Sequence, residues 1–228
     1  MHYELLSRPA MTVAKLTLAA GESVTCEVGA MIAMNGGFNV ETTSRKRGGG
    51  GGGIAKGLKR MFAGENFFLN HFTATHPDQS LIIGPAMLGD IMYYQMTGGT
   101  LIVQGSSWLA SSTSVDIDAT WQGLGKALFS GERMFWVKCS GVGDLLLNSF
   151  GAIHCVEVSG EYVVDTGHIV AFEDTLQFKI GKAGKSLVGS FLGGEGLVCK
   201  FSGQGKLYFQ THNPPSFGQL LGPKLKPR

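Results

Sequence analysis

The stretch that decides the reading of the fold is RMFWVKCSGVGDLLLNSFG, residues 133–151. Two apolar runs flank a glycine-rich break, the pattern of a strand, a turn and a second strand. The pattern returns as NFFLNHFTATHPDQSLIIG at 66–84 and as GLVCKFSGQGKLYFQTHN at 196–213. Each passage follows a Gly-Glu pair: Gly64-Glu65, Gly131-Glu132 and Gly194-Glu195, separated by 67 and 63 residues. Ahead of each pair lies a short helix-compatible piece: IAKGLKRMFA at 54–63, GLGKALFS at 123–130 and KSLVGSFLG at 185–193. Such short helices are unstable alone, so their apolar stripes must dock.

Further upstream the copies still match. Ala30-Met31-Ile32-Ala33 precedes Gly37-Phe38-Asn39-Val40, and Ser107-Trp108-Leu109-Ala110 precedes Ser114-Val115-Asp116-Ile117-Asp118. His168-Ile169-Val170-Ala171-Phe172 precedes Leu176-Gln177-Phe178-Lys179-Ile180. Alternation at period two in Val115, Ile117 and Ala119, and in Leu176, Phe178 and Ile180, marks strands with one buried face. The expected fold is mainly β, with internally triplicated strand units in an approximate threefold arrangement around a shared core, joined by short connecting helices. A β-sandwich is the competing architecture. Residues 1–212 form the expected single domain, and 213–228, with Pro214, Pro215, Pro223 and Pro227, an extended tail.

Composition narrows the function. With 43% hydrophobic and 16% charged residues the chain is not intrinsically disordered. The 35 glycines have no three-residue period, which excludes collagen. Nineteen basic against seventeen acidic residues leave +2, so nucleic acid is not an expected partner. Lys56, Lys59 and Arg60 form a local basic stretch that could meet an anionic membrane or nucleic acid. The start, Met1-His2-Tyr3-Glu4, lacks a basic n-region, and no run of 18 apolar residues occurs. No signal peptide or transmembrane helix is expected, and cytoplasm is the expected location. Gly48 to Gly53 read as a surface loop inserted into the first copy. Cys26, Cys139, Cys155 and Cys199 lack Cys-x-x-Cys spacing; the last three interrupt strand-like runs, where a reduced cysteine serves as a small buried hydrophobe.

Catalytic patterns fail one by one. Gly184-Lys185-Ser186 has Lys179 where a phosphate loop needs glycine. No Gly-x-Ser-x-Gly elbow and no His-Glu-x-x-His occur. His154, His168 and Asp165 could supply a metal site if the fold brings them together. Glu65, Glu132 and Glu195 serve the repeated architecture, or converge about an axis on a cation. The segment Gly160–His168 stands out from the other copies, with its bend at Asp165-Thr166-Gly167. No catalytic residue and no cofactor is expected.

The run Gly143-Asp144-Leu145-Leu146-Leu147-Asn148-Ser149-Phe150-Gly151-Ala152-Ile153-His154, followed by Tyr162-Val163-Val164-Asp165-Thr166-Gly167-His168-Ile169-Val170-Ala171-Phe172, resembles the AIM24-like family. Tyr3-Glu4-Leu5 and Phe209-Gln210-Thr211 extend the resemblance over nearly the whole chain. It implies a fold similar to trp RNA-binding attenuation protein-like β proteins, with internal repeats and oligomer-forming examples. Eukaryotic members are linked to mitochondrial organisation, while many bacterial and archaeal members have no assigned activity. Transfer of RNA or tryptophan binding on fold alone is unwarranted. The expected function is that of a noncatalytic scaffold or interaction protein forming a homo-oligomer. The alternatives are a small-ligand or metal-binding protein, including an enzyme, and a peripheral binder of anionic membrane or nucleic acid.

Overall fold

Ala14, Leu16 and Leu18 alternate with half-buried neighbours along one short segment, and all three are fully buried. This is strand logic: one face meets the core while the other stays accessible. In this computed structural model, which describes residues 1–46, 66–119, 135–182 and 197–225, the chain is mainly β.

A leading strand β1 (His2–Leu6) pairs antiparallel with the next, β2 (Val13–Leu18). The strands from β2 on fall into three consecutive groups. The first contains β2, β3 (Ser23–Glu27), β4 (Met31–Met34), β5 (Phe38–Lys46), β6 (Asn66–Ala74) and β7 (Gln79–Ile83). The second contains β8 (Ile91–Gln104), β9 (Trp108–Ser112), β10 (Val115–Asp118) and β11 (Trp136–Asn148). The third contains β12 (Ile153–Asp165), β13 (Ile169–Glu173), β14 (Gln177–Lys182) and β15 (Leu197–Gln210). One antiparallel sheet runs β1-β2-β7-β4; the other follows the path β12-β15-β13-β8-β11-β9-β3-β6-β5, with β10 and β14 attached to β11 and β15.

Within each group the same pairs form. The last long strand takes one partner at each end: β4 on β7 and β5 on β6, β9 and β10 on β11, β13 and β14 on β15. The register skips one residue at the same place each time, at Ile32, Leu109 and Val170. Such a bulge bends the strand and redirects its side chains. Two further pairings join neighbouring groups, β9 to β3 and β13 to β8.

The glycine-rich breaks differ from the strand–turn–strand expected at 133–151 and 196–213. β11 and β15 run straight through them, paired throughout with β8 and β12. Gly141 (φ +108°) and Gly203 (φ +114°) adopt backbone that side-chain-bearing residues avoid, yet bend a continuous strand instead of ending it. A true break occurs in the first passage, between β6 and β7.

Buried apolar residues form three clusters among the described residues, not one shared interior. The first group supplies most of one (Val24, Cys26, Phe72, Leu81), the second most of another (Leu101, Val103, Val137, Leu145), and the third most of the last (Val164, Phe201, Leu207). The groups are knitted together by intruding side chains: Leu109 and Ala110 of β9 enter the first cluster, and Val170 and Ala171 of β13 enter the second. Burying the Leu109 or Val170 side chain contributes roughly 1.5–3 kcal/mol.

The tail corrects another expectation. Residues Pro214–Leu221 form a helix, α1, where an extended arm was anticipated. Pro214 and Pro215 occupy its first turn, where the missing N–H is not needed, and the Asn213 side chain caps it by accepting from the Ser216 N–H at 3.3 Å. The Phe217 ring meets Phe150 at 5.3 Å between centroids. The helix-compatible pieces at 54–63, 123–130 and 185–193 lie outside the described residues. So do Gly64, Glu65, Gly131, Glu132, Gly194 and Glu195, and the cations Lys56, Lys59 and Arg60.

Candidate functional site

The third group carries an open groove of about 440 Å³ lined by residues of β12 and of the end of β15. The end of β12 brings Tyr162, Val163, Val164 and Asp165 to it, β15 contributes Phe209, and the bend after β12 contributes His168. His154 and Thr211 complete its polar end. The three residues expected to bind metal therefore share one groove.

Their partners account for them structurally. Asp165 accepts hydrogen bonds from the Gly167 N–H at 2.9 Å and from the Asn213 side-chain amide at 3.2 Å. His168 Nδ1 lies 2.8 Å from the Gln210 carbonyl oxygen, and His154 stacks on Phe209 at 5.7 Å. Among the described residues, no group of three His, Cys, Asp or Glu side chains converges closely enough to hold a metal ion. The bend at Asp165 is also less distinctive than its sequence suggests. Gln104 closes the same kind of one-turn 3-10 helix in the second group, its side chain accepting from the Ser106 N–H at 2.9 Å.

The cysteines divide. Cys26, Cys139 and Cys199 are buried, and burial pushes the thiols of Cys139 and Cys199 up to about 12 and that of Cys26 higher still. Cys155 is exposed, against the expectation of a buried hydrophobe, because its side chain falls on the solvent face of β12. None of these environments activates a thiolate.

The best-formed ionic cluster is structural. Asp90, with its side chain 7% exposed, accepts two hydrogen bonds from Arg8 at 3.0 and 2.7 Å, one from the Thr12 hydroxyl at 2.7 Å and one from the Ile91 N–H at 2.9 Å. Burial pushes its carboxyl up, but the hydrogen bonds from Arg8, Thr12 and Ile91 outweigh that and hold it below the usual range. This carboxylate ties the segment after β1 to the start of β8, and every one of its bonds is internal. Sequence reading missed it because Arg8 and Asp90 are 82 residues apart.

The outer edges of β1, β5, β10 and β14 carry no strand partner among the described residues, and neither do those of β4 and β12. The last two strands bear exposed apolar side chains: Met31, Ile32 and Met34 on β4, Tyr162 and Val163 on β12. No described helix is long and apolar enough to cross a membrane.

Comparison with known proteins fits this geometry. A crystal structure of the protein SPYM3_0169 from Streptococcus pyogenes superimposes with a TM-score of 0.77 at 24% identity, covering 98% of this chain and 99% of that one. That likeness establishes the fold. An uncharacterised protein, M6_Spy0233, from Streptococcus pyogenes serotype M6 is 28% identical over 210 residues, spanning 91% of this chain and 84% of its relative. The model of the family described as "Mitochondrial biogenesis AIM24" matches residues 3–212, and the chain belongs to that family.

Proposed function

We propose that the chain is a noncatalytic scaffold or interaction protein that assembles with copies of itself, built from three equivalent strand units. The observation that carries this reading is a constant spacing. Cys26, Ala33 and Phe38 in the first group match Val103, Ala110 and Val115 in the second, and Val164, Ala171 and Leu176 in the third. Each trio is separated by seven and five residues and occupies corresponding places in the pairing. Repeated units that bury their faces on neighbours leave terminal faces to be covered. The groups lie side by side along a strand path with two ends, so the threefold relation is one of units along the chain and not of a closed ring within it. The pairing is also compatible with a fold-level kinship to trp RNA-binding attenuation protein-like proteins.

Light scattering over a wide concentration range tests the assembly. A mass above that of one chain, rising or constant with concentration, supports it; a single-chain mass throughout refutes it.

The groove beside His154 and His168 supports a second reading, a site for a small ligand or metal. Metal analysis after mild purification, on the parent protein and on His154→Ala and His168→Ala, tests it. Stoichiometric metal lost in both variants would establish the site, and negligible metal in all three would remove the metal version.

A further inference from the structure

The knitting of the groups within one chain specifies how two chains would meet. Leu109 belongs to the second group but fills the interior of the first, and Val170 belongs to the third but fills the interior of the second. Each is the residue skipped by its strand's register. The corresponding residue of the first group is Ile32, and no described strand pairs with the open edge of its strand. The exposures follow: Leu109 and Val170 are both 0% exposed, whereas Ile32 is 56% exposed.

The vacancy recurs at the other end. Thr25 and Ile102 sit where β9 and β13 pair across the group boundary, and they are 4% and 2% exposed. Their counterpart in the third group, Val163, is 48% exposed, and no described strand pairs with the open edge of β12. The groove is the same vacancy seen from the surface. Its Tyr162, Val164 and Phe209 occupy the places that Val24, Cys26 and Ile83 hold in the first group. Those three residues share one cluster with Leu109.

We infer that β4 of one copy adds to the β12 edge of a second copy, in the register that joins the groups within the chain, with Ile32 seated in the groove of the third group. This rests on the homo-oligomer reading and supplies its interface. The observed pairs are Ala110 with Cys26 and Ser111 with Thr25, then Ala171 with Val103 and Phe172 with Ile102. The intermolecular pairs that continue the series are Ala33 with Val164, Met34 with Val163 and Asn35 with Tyr162. Main-chain hydrogen bonds supply the attraction of an added strand, and the side chains of Met31, Ile32 and Met34 supply the apolar contact. The contact is head to tail, since β4 and β12 are different surfaces. Each added copy presents a fresh β12 edge, so the assembly closes as a ring or extends as a filament.

Cysteine pairing tests the register. In a Cys155→Ser background, which removes the exposed native thiol, Met34→Cys and Val163→Cys are introduced singly and together, and the protein is oxidised mildly. Directly opposed strand residues are within disulfide reach. The double variant should give covalent multimers on a non-reducing gel, and each single variant should give none. A companion set uses charge: Met34→Glu alone and Val163→Lys alone should each raise the concentration at half-assembly at least about tenfold, and the two together should restore it. Multimers by light scattering that neither crosslink nor respond to these charges would overturn the β4–β12 contact while leaving self-assembly intact. A single-chain mass in the unmodified protein would remove both.

Discussion

Ile32, Leu109 and Val170 are each skipped by a strand register, and truncating each to alanine separates the interior of a strand group from its boundary. Leu109→Ala removes three fully buried carbons, about 2.4 kcal/mol at ~0.8 per methylene. With the residual cavity its cost reaches about 3–4 kcal/mol. Val170→Ala removes two, and the same reasoning gives about 2–3 kcal/mol. Ile32→Ala changes an exposed side chain, so in the dissociated chain it should cost under about 0.5 kcal/mol. Urea unfolding followed by tryptophan emission measures all three, with the slope of each transition checked for constancy. The series is run at several protein concentrations, because a contact made only in the assembly stabilises by mass action. At the lowest concentration Ile32→Ala should match the parent; as concentration rises the parent should gain stability and the variant should lag. If Ile32→Ala costs as much as Leu109→Ala in the dissociated chain, the equivalence of the three positions and the open face of the first unit are both wrong.

The Asp90 cluster predicts a pH dependence. A carboxyl held below its usual range contributes stability that is complete above about pH 4 and disappears as pH falls through its folded value. Asp90→Asn should therefore cost about 1–2 kcal/mol near pH 7: the amide oxygen still accepts from Thr12 and Ile91, but the charge is lost and the NH2 replaces the Oδ2 that accepts from Arg8, whose half-exposed side chain limits the cost. The difference between parent and variant in urea should narrow below pH 4; a constant difference would rule out an ionised Asp90 as its source. Thiol titration with an aromatic disulfide at neutral pH should find one reactive cysteine per native chain, Cys155, and all four after unfolding. Rapid reaction of two or more in the native protein would contradict the burial of Cys26, Cys139 and Cys199. Gly89→Ala should destabilise by about 3 kcal/mol or more, because a Cβ there would overlap the Ser149 carbonyl oxygen, part of the backbone. A thermal midpoint equal to that of the parent would show that this close approach is absent.

Local chemistry made much of the fold legible. Period-two alternation at Val115, Ile117 and Ala119 marks a buried strand face, and all three residues are buried. The strand-rich passages and the family itself could be read from residues in order, because hydrophobic period and turn chemistry act over a few neighbours. Glycine was ambiguous for a physical reason. The positive φ it permits serves a turn or a bulge, and what decides is whether a partner strand continues alongside, as β8 does beside Gly141. The tail misled in a similar way, since prolines that break a helix interior are well placed in its first turn.

Which faces meet was beyond reach of the sequence. His154, Asp165 and His168 come together in a groove, but their bonds to Phe209, Gly167 and Gln210 depend on how β12 lies against β15 and the turn that follows. The sequence by itself determined a mainly β chain of matching strand passages with no complete catalytic motif. Tertiary structure alone decided that Leu109 and Val170 are covered while Ile32 is bare, because burial depends on what lies across the sheet boundary, and no described strand lies across the open edge of β4.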